Sequence, residues 1–221
     1  MRFCFLIIFI LFSAYFQGQL RFNFSIDSKP LFVGEKYLSQ RDSSWIQIDD
    51  LKFYITYYPF FSDENTSGSS VIHLVDLNDT TSWTIPFTED GMKNTTIFNF
   101  AIGLDSATTM STQFSGALDP ALGMYWAWNT GYIHFKLEGK SNVVPGSKNE
   151  FQYHIGGYSG KFSTQRWISA PIKLKYSIPI VQIDLADFVR EILNLKEKPL
   201  LMIPGKDAVF IADGYNKMFV K

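Results

Sequence analysis

The chain has 221 residues, with 20 lysines and arginines against 21 aspartates and glutamates, three histidines and one cysteine. This near-neutral balance, without a basic run, removes the electrostatic case for a nucleic-acid or anionic-lipid partner. The length suits one sizeable all-β domain, and no internal repeat or domain-scale linker divides it.

The first element is Met1-Arg2 followed by the apolar run Phe3 to Phe12, which reads as a secretory signal peptide because it is too short for a bilayer span. Cleavage is expected near Gly18, leaving 19–221 as a single mature domain with no membrane attachment, located in the periplasm or at the cell surface. Cys4 lies inside the leader. The mature chain then has no disulfide and no thiolate to offer a metal, so packing must supply its stability.

Beyond the leader, short alternating or apolar runs recur between turn residues, at 20–26, 51–58, 71–77, 95–102, 132–137, 150–155 and 172–183. This pattern predicts an all-β, antiparallel sandwich. Polar, Gly- or Pro-bearing stretches at 62–70, 139–149, 156–160 and Pro204-Gly205 predict the loops. A Ser/Thr-rich helical turn is expected between Asp105 and Gln113. One short helix near the C-terminus is expected from Asp184, as cap, to about Leu195, with Leu185, Phe188, Ile192 and Leu193 sharing a face.

The most particular window is Gly123-Met124-Tyr125-Trp126-Ala127-Trp128-Asn129-Thr130-Gly131-Tyr132. Aromatic density of this kind needs packing, polar partners or a task. On an extended segment Trp126 and Trp128 share one side, with Tyr125 and Ala127 on the other. A packed aromatic layer is the plain reading, and Met124 is either a gap filler or a thioether donor. In Tyr132 to Glu138, parity puts Ile133, Phe135 and Leu137 inside and His134 on the wet face.

The run GMYWAWNTGYIHFKLEG, preceded by Leu118-Asp119-Pro120, resembles the central motif of the MbnP-like proteins, secreted copper-binding β-proteins of bacteria. His73-Leu74-Val75-Asp76, Phe151-Gln152-Tyr153-His154-Ile155-Gly156-Gly157 and Ile211-Ala212-Asp213-Gly214-Tyr215 resemble the same family in the same order. The resemblance implies a protein that sequesters or delivers one copper ion, with His73 and His154 as ligands and no turnover. Trp126, Trp128, Met124 and Tyr125 stand beside them as redox or supporting candidates. Imidazole suits copper where thiolates are absent, although a histidine in an apolar strand is more often a core residue satisfied by one hydrogen bond.

The resemblance further implies a di-haem peroxidase-like cytochrome as partner, which oxidises a tryptophan near the first histidine to a copper-binding kynurenine. Val71 stands where that tryptophan is expected, so the third ligand is missing. With bacteria as the implied source, the sequons at Asn23, Asn65, Asn78 and Asn94 carry little weight. Asp119 is read as a turn residue, and Asp76 as facing away from His73. No G-x-S-x-G, H-E-x-x-H or phosphate loop points to catalysis. The alternative is a metal-free sandwich that binds a glycan or a surface protein on an aromatic platform of Tyr125, Trp126, Trp128 and Tyr132.

Overall fold

Period-two burial sets the strands and tells which way each one faces. The computed structural model describes residues 17–39, 41–58, 70–88, 96–111, 113–128, 131–175 and 178–219. The signal-peptide reading of residues 1–16, most of the 62–70 loop and the sequons at Asn65 and Asn94 lie outside these residues.

The first strands are β1 (Gln17–Ile26), β2 (Lys29–Pro30), β3 (Lys36–Leu38), β4 (Trp45–Tyr57), β5 (Val71–Asp76), β6 (Thr84–Thr88) and β7 (Ile97–Ile102). They are followed by β8 (Tyr125–Trp126), β9 (Gly131–Tyr132), β10 (Phe135–Ser141), β11 (Glu150–Ile155), β12 (Arg166–Lys175), β13 (Ile178–Asp184) and β14 (Leu200–Leu201). The main sheet runs β14-β11-β10-β4-β7-β12-β13-β1-β2, with β3 and β5 also on β4 and β6 on β1; β8 and β9 form a separate ribbon. Pairing is antiparallel except for β1 with β13 and β11 with β14.

The long sheet doubles into two layers. β12 bonds β7 through Arg166–Pro171 and β13 through Ile172–Lys175, so one strand carries the sheet round. Alternate residues of β1 then point inward: Leu20, Phe22, Phe24 and Ile26 are all buried. Phe22 meets Phe53 at 6.5 Å and Phe100 at 6.2 Å between ring centroids, although β1 pairs with neither β4 nor β7. Such contact between non-neighbouring strands is the packing of a sandwich.

The other face of β4 is covered too. A smaller core of Tyr54, Leu104, Leu118, Met124, Trp126, Tyr132 and Ile133 lies there, with Ile72 and Leu74 of β5 against it. The described residues between 104 and 133 therefore form a lid over the sheet, and the described part of the aromatic window belongs to it.

Three α-helices are present among the described residues: α1 (Ser106–Met110), α2 (Ala186–Glu191) and α3 (Lys206–Asp213). In α1, the Asp105 carboxylate accepts from Thr108 N at 2.6 Å, the expected capped turn. α2 is shorter than expected, and Asp184 serves more than one end. Its carboxylate accepts from Ala186 N and also from Ser25 Oγ and Ser28 N of the β1–β2 turn. α3 buries Ala208, Ile211 and Ala212 and was not anticipated from the sequence. No helix among the described residues is long and apolar enough to cross a membrane.

Candidate functional site

Register along β4 decides where the chemistry-bearing side chains go. Lys52 stands opposite Asp76 of β5 on one side and Lys136 of β10 on the other, and Lys136 stands opposite His154 of β11. Directly paired residues share a face, so Asp76, Lys52, Lys136 and His154 form one row, on the side of the smaller core. Ile55 of β4 stands opposite His73. Being three residues from Lys52, Ile55 points to the other face, and His73 goes with it.

The row is a chain of charges. Lys52 Nζ lies 2.9 Å from Asp76, and Lys136 Nζ 2.8 Å from Asp50 and 3.3 Å from Glu138. It ends at His154, whose Nε2 is 2.6 Å from Glu138 Oε1, with the imidazole side chain 15% exposed. Burial pushes the Glu138 pKa up, but the His154 hydrogen bond and the Lys136 charge outweigh it and hold the carboxyl below its usual range. Burial likewise lowers the Lys136 pKa, and the Asp50 and Glu138 partners more than restore it.

Glu138 thus occupies one nitrogen of His154 and fixes the ring. Nδ1 is the nitrogen left to donate a lone pair, the arrangement in which a carboxylate orients an imidazole for a metal.

His73 has a different setting. Its Nε2 is 2.7 Å from the Ser82 carbonyl, which accepts its proton, and it sits beside the short 3-10 turn Thr80–Trp83. Asp76, on the opposite face, turns to Lys52, as its parity requires. Trp83 donates through Nε1 to the Asp76 carbonyl and packs edge-on against Phe24 of β1 at 5.1 Å. The sheet therefore lies between the two imidazoles. Three inter-strand steps also separate β5 from β11, about 14 Å at the usual spacing.

The two histidines named from the sequence are not brought together, and a single ion cannot be clasped by both. Among the described residues no three His, Cys, Asp or Glu side chains converge as a metal site. A two-imidazole copper centre does not fit this chain.

His134 corrects the parity reading most sharply. It is fully buried, not on a wet face. The run expected as one strand from Tyr132 breaks between β9 and β10, and the bend at His134 turns its ring inward. Backbone bonds from His134 N to the Ile155 carbonyl and from Tyr54 N to the His134 carbonyl pin it there. Thr164 Oγ1 is 2.9 Å from Nδ1, while Nε2 has no hydrogen-bond partner. Burial alone pushes its pKa down to about 3. A Cβ on Gly103 would stand 2.7 Å from Nδ1. A neutral, dry imidazole is thus found at His134, packed against the glycine that follows β7.

In the aromatic window, Met124 is fully buried and fills the smaller core. Tyr125 is half-buried, edge-on to Tyr132 at 5.1 Å and to Phe114 at 5.4 Å. The extended geometry stops after Trp126, because a turn follows at Ala127-Trp128. Trp126 is buried at 5% exposure and Trp128 stands out at 63%, with ring centroids 5.8 Å apart and planes tilted by 46°. The Trp126 six-membered ring lies where a Cβ on Gly156 would be, 2.8 Å away. His154, in β11, lies on the side of the sheet that carries the smaller core, to which Trp126 belongs, whereas His73 faces the other side. Asp119 accepts from Ala121 N at 2.9 Å, the turn role expected of it.

Beside the two indoles is a cavity of about 460 Å³, lined by Trp126, Trp128, Gly131, Tyr132, Gly157, Tyr158, Ser159, Phe162 and Pro204. Among the described residues no charged side chain lines it.

A family model described as MbnP matches residues 16–203. Among solved structures the chain is similar to MbnP from Methylosinus trichosporium, at 15% identity and a TM-score of 0.54, over 88% of this chain and 86% of that one. At this identity the likeness speaks for the fold. No curated protein matches the chain.

Proposed function

The chain belongs to the MbnP family, and from that premise we propose that it is a secreted copper-binding protein that holds one ion at His154 and does no turnover. Copper comes from what the family resemblance implies, and the setting of His154 in this chain supports the choice of ligand. The observation that carries it is the 2.6 Å contact between Glu138 and His154 Nε2, which orients the ring and leaves Nδ1 as the donor. His73 is excluded from the site by the sheet.

One protein imidazole, with the remaining positions taken by water or backbone oxygen, makes a weaker site than a two-histidine clasp, since ligand number sets affinity. Val71 stands where the resemblance expects the oxidisable tryptophan. For the cytochrome partner that the resemblance implies, Trp128 is the reachable indole, because Trp126 is enclosed.

Equilibrium dialysis of the mature protein against copper tests the reading. About one copper per chain is expected at saturation, lost in His154→Ala, weakened in Glu138→Gln and kept in His73→Ala. Full uptake by His154→Ala, or loss of uptake in a folded His73→Ala, overturns it.

A further inference from the structure

The cavity beside Trp126 and Trp128 is not needed by a copper site, since neither His154 nor Glu138 lines it. Its walls are nevertheless particular. Trp128 is a large aromatic side chain left 63% exposed at the rim, and Trp126 forms a second wall at 46° to it. Two glycines, Gly131 and Gly157, also line the cavity and put no side chain into it.

The polar groups are also unspent. Among the described residues the Tyr158 and Ser159 hydroxyls have no hydrogen-bond partner, and Ser159 does not cap the 3-10 turn Gly160–Phe162 that it precedes. The Trp126 indole Nε1 is buried without a partner, an uncommon state for a buried donor.

We infer that this cavity binds a neutral sugar ring, stacked on Trp128 and hydrogen-bonded at its edge by Tyr158 and Ser159. Three features select that class. The described lining side chains carry no charge, and the Lys161 ammonium beside them is engaged over the Phe162 ring at 5.3 Å. A flexible acyl chain would have no use for free hydroxyls. A pyranose has an apolar C–H face for an indole and a hydroxyl rim for the polar groups. The volume lies within the usual range of small-ligand sites, about 300–1,000 Å³.

The site is distinct from the copper position, so the two proposals fail separately. The test is a tryptophan-fluorescence titration of the chelator-treated mature protein with three neutral probes: maltotriose, cellotriose and N-acetylglucosamine trimer. At least one should shift the emission saturably below about 10 mM, a weak-affinity ceiling near the millimolar range.

Trp128→Ala, at an exposed position, keeps the fold and should weaken binding about tenfold or more. Tyr158→Phe and Ser159→Ala should each weaken it less, and His154→Ala should leave it unchanged. No saturable shift with any of the three sugars, or a shift that survives in Trp128→Ala, overturns the proposal.

Discussion

Burial without a charge partner is what holds the His134 imidazole neutral, and its consequence is an acid-labile fold. In the unfolded chain a histidine titrates near 6.5, whereas in the folded protein this one does not take a proton until about pH 3. Between those values the unfolded state binds the extra proton, so stability is full above the unfolded pKa and falls as the pH drops. The loss should be about 2 kcal/mol from pH 7 to pH 5, from a slope of about 1.4 kcal/mol per pH unit. Glu138 and Asp184, with folded pKa values lowered, contribute stability that is lost only further down, as the pH falls below the ordinary carboxylate range. Urea unfolding at pH 7 and pH 5 checks this, with His134→Leu as the comparison. The variant should show a much smaller difference between the two pH values than the parent; an equal difference would show that His134 is not the acid-sensitive group. From sequence this residue read as surface, because parity was carried through a segment that is not continuous strand. The apolar partners in that segment were legible, the bend was not.

At the scale of elements, the alternating runs were legible because burial of one face dictates them: Leu20 to Ile26 and Glu150 to Ile155 become β1 and β11 nearly as expected. The run 172–183 was read as one strand, yet it holds parts of β12 and β13, which pair with each other. The run 172–183 holds no glycine or asparagine that would divide it. A second illegible feature is the irregular register between Glu138 and Gly139, where β10 lies against β4. A Cβ at Gly139 would come within 2.1 Å of the Gln47 carbonyl and 2.8 Å of the Phe151 ring. Gly139 is there because β4 backbone approaches too closely for any side chain. Gly139→Ala should therefore cost about 2–4 kcal/mol, through displaced backbone at a buried rung, measured as a fall in the denaturation midpoint. A change under about 0.5 kcal/mol, the usual size for a neutral surface site, would mean that the strands separate there at little cost.

For the whole molecule, the order of the motifs along the chain identified the family and the sandwich, but not which residues meet. A one-residue difference in parity puts a strand side chain through to the other layer, and that is the relation between His73 and His154. His73 is committed to the layer interface beside Trp83 and β1; His154 is committed to the charged row beneath the aromatic lid. Only the pairing of β5 and β11 on the two sides of the β4–β10 pair fixes this, and pairing partners are not written in either segment. The smaller core with its aromatic window lies on the His154 side of the sheet and not on the His73 side. Pulsed electron paramagnetic resonance of the copper(II)-loaded mature protein counts the imidazoles on the ion. One coordinated imidazole, absent from His154→Ala, is the expected result. Two imidazoles on one ion, with one lost in His73→Ala, would contradict the placement of the two histidines on opposite faces of the sheet.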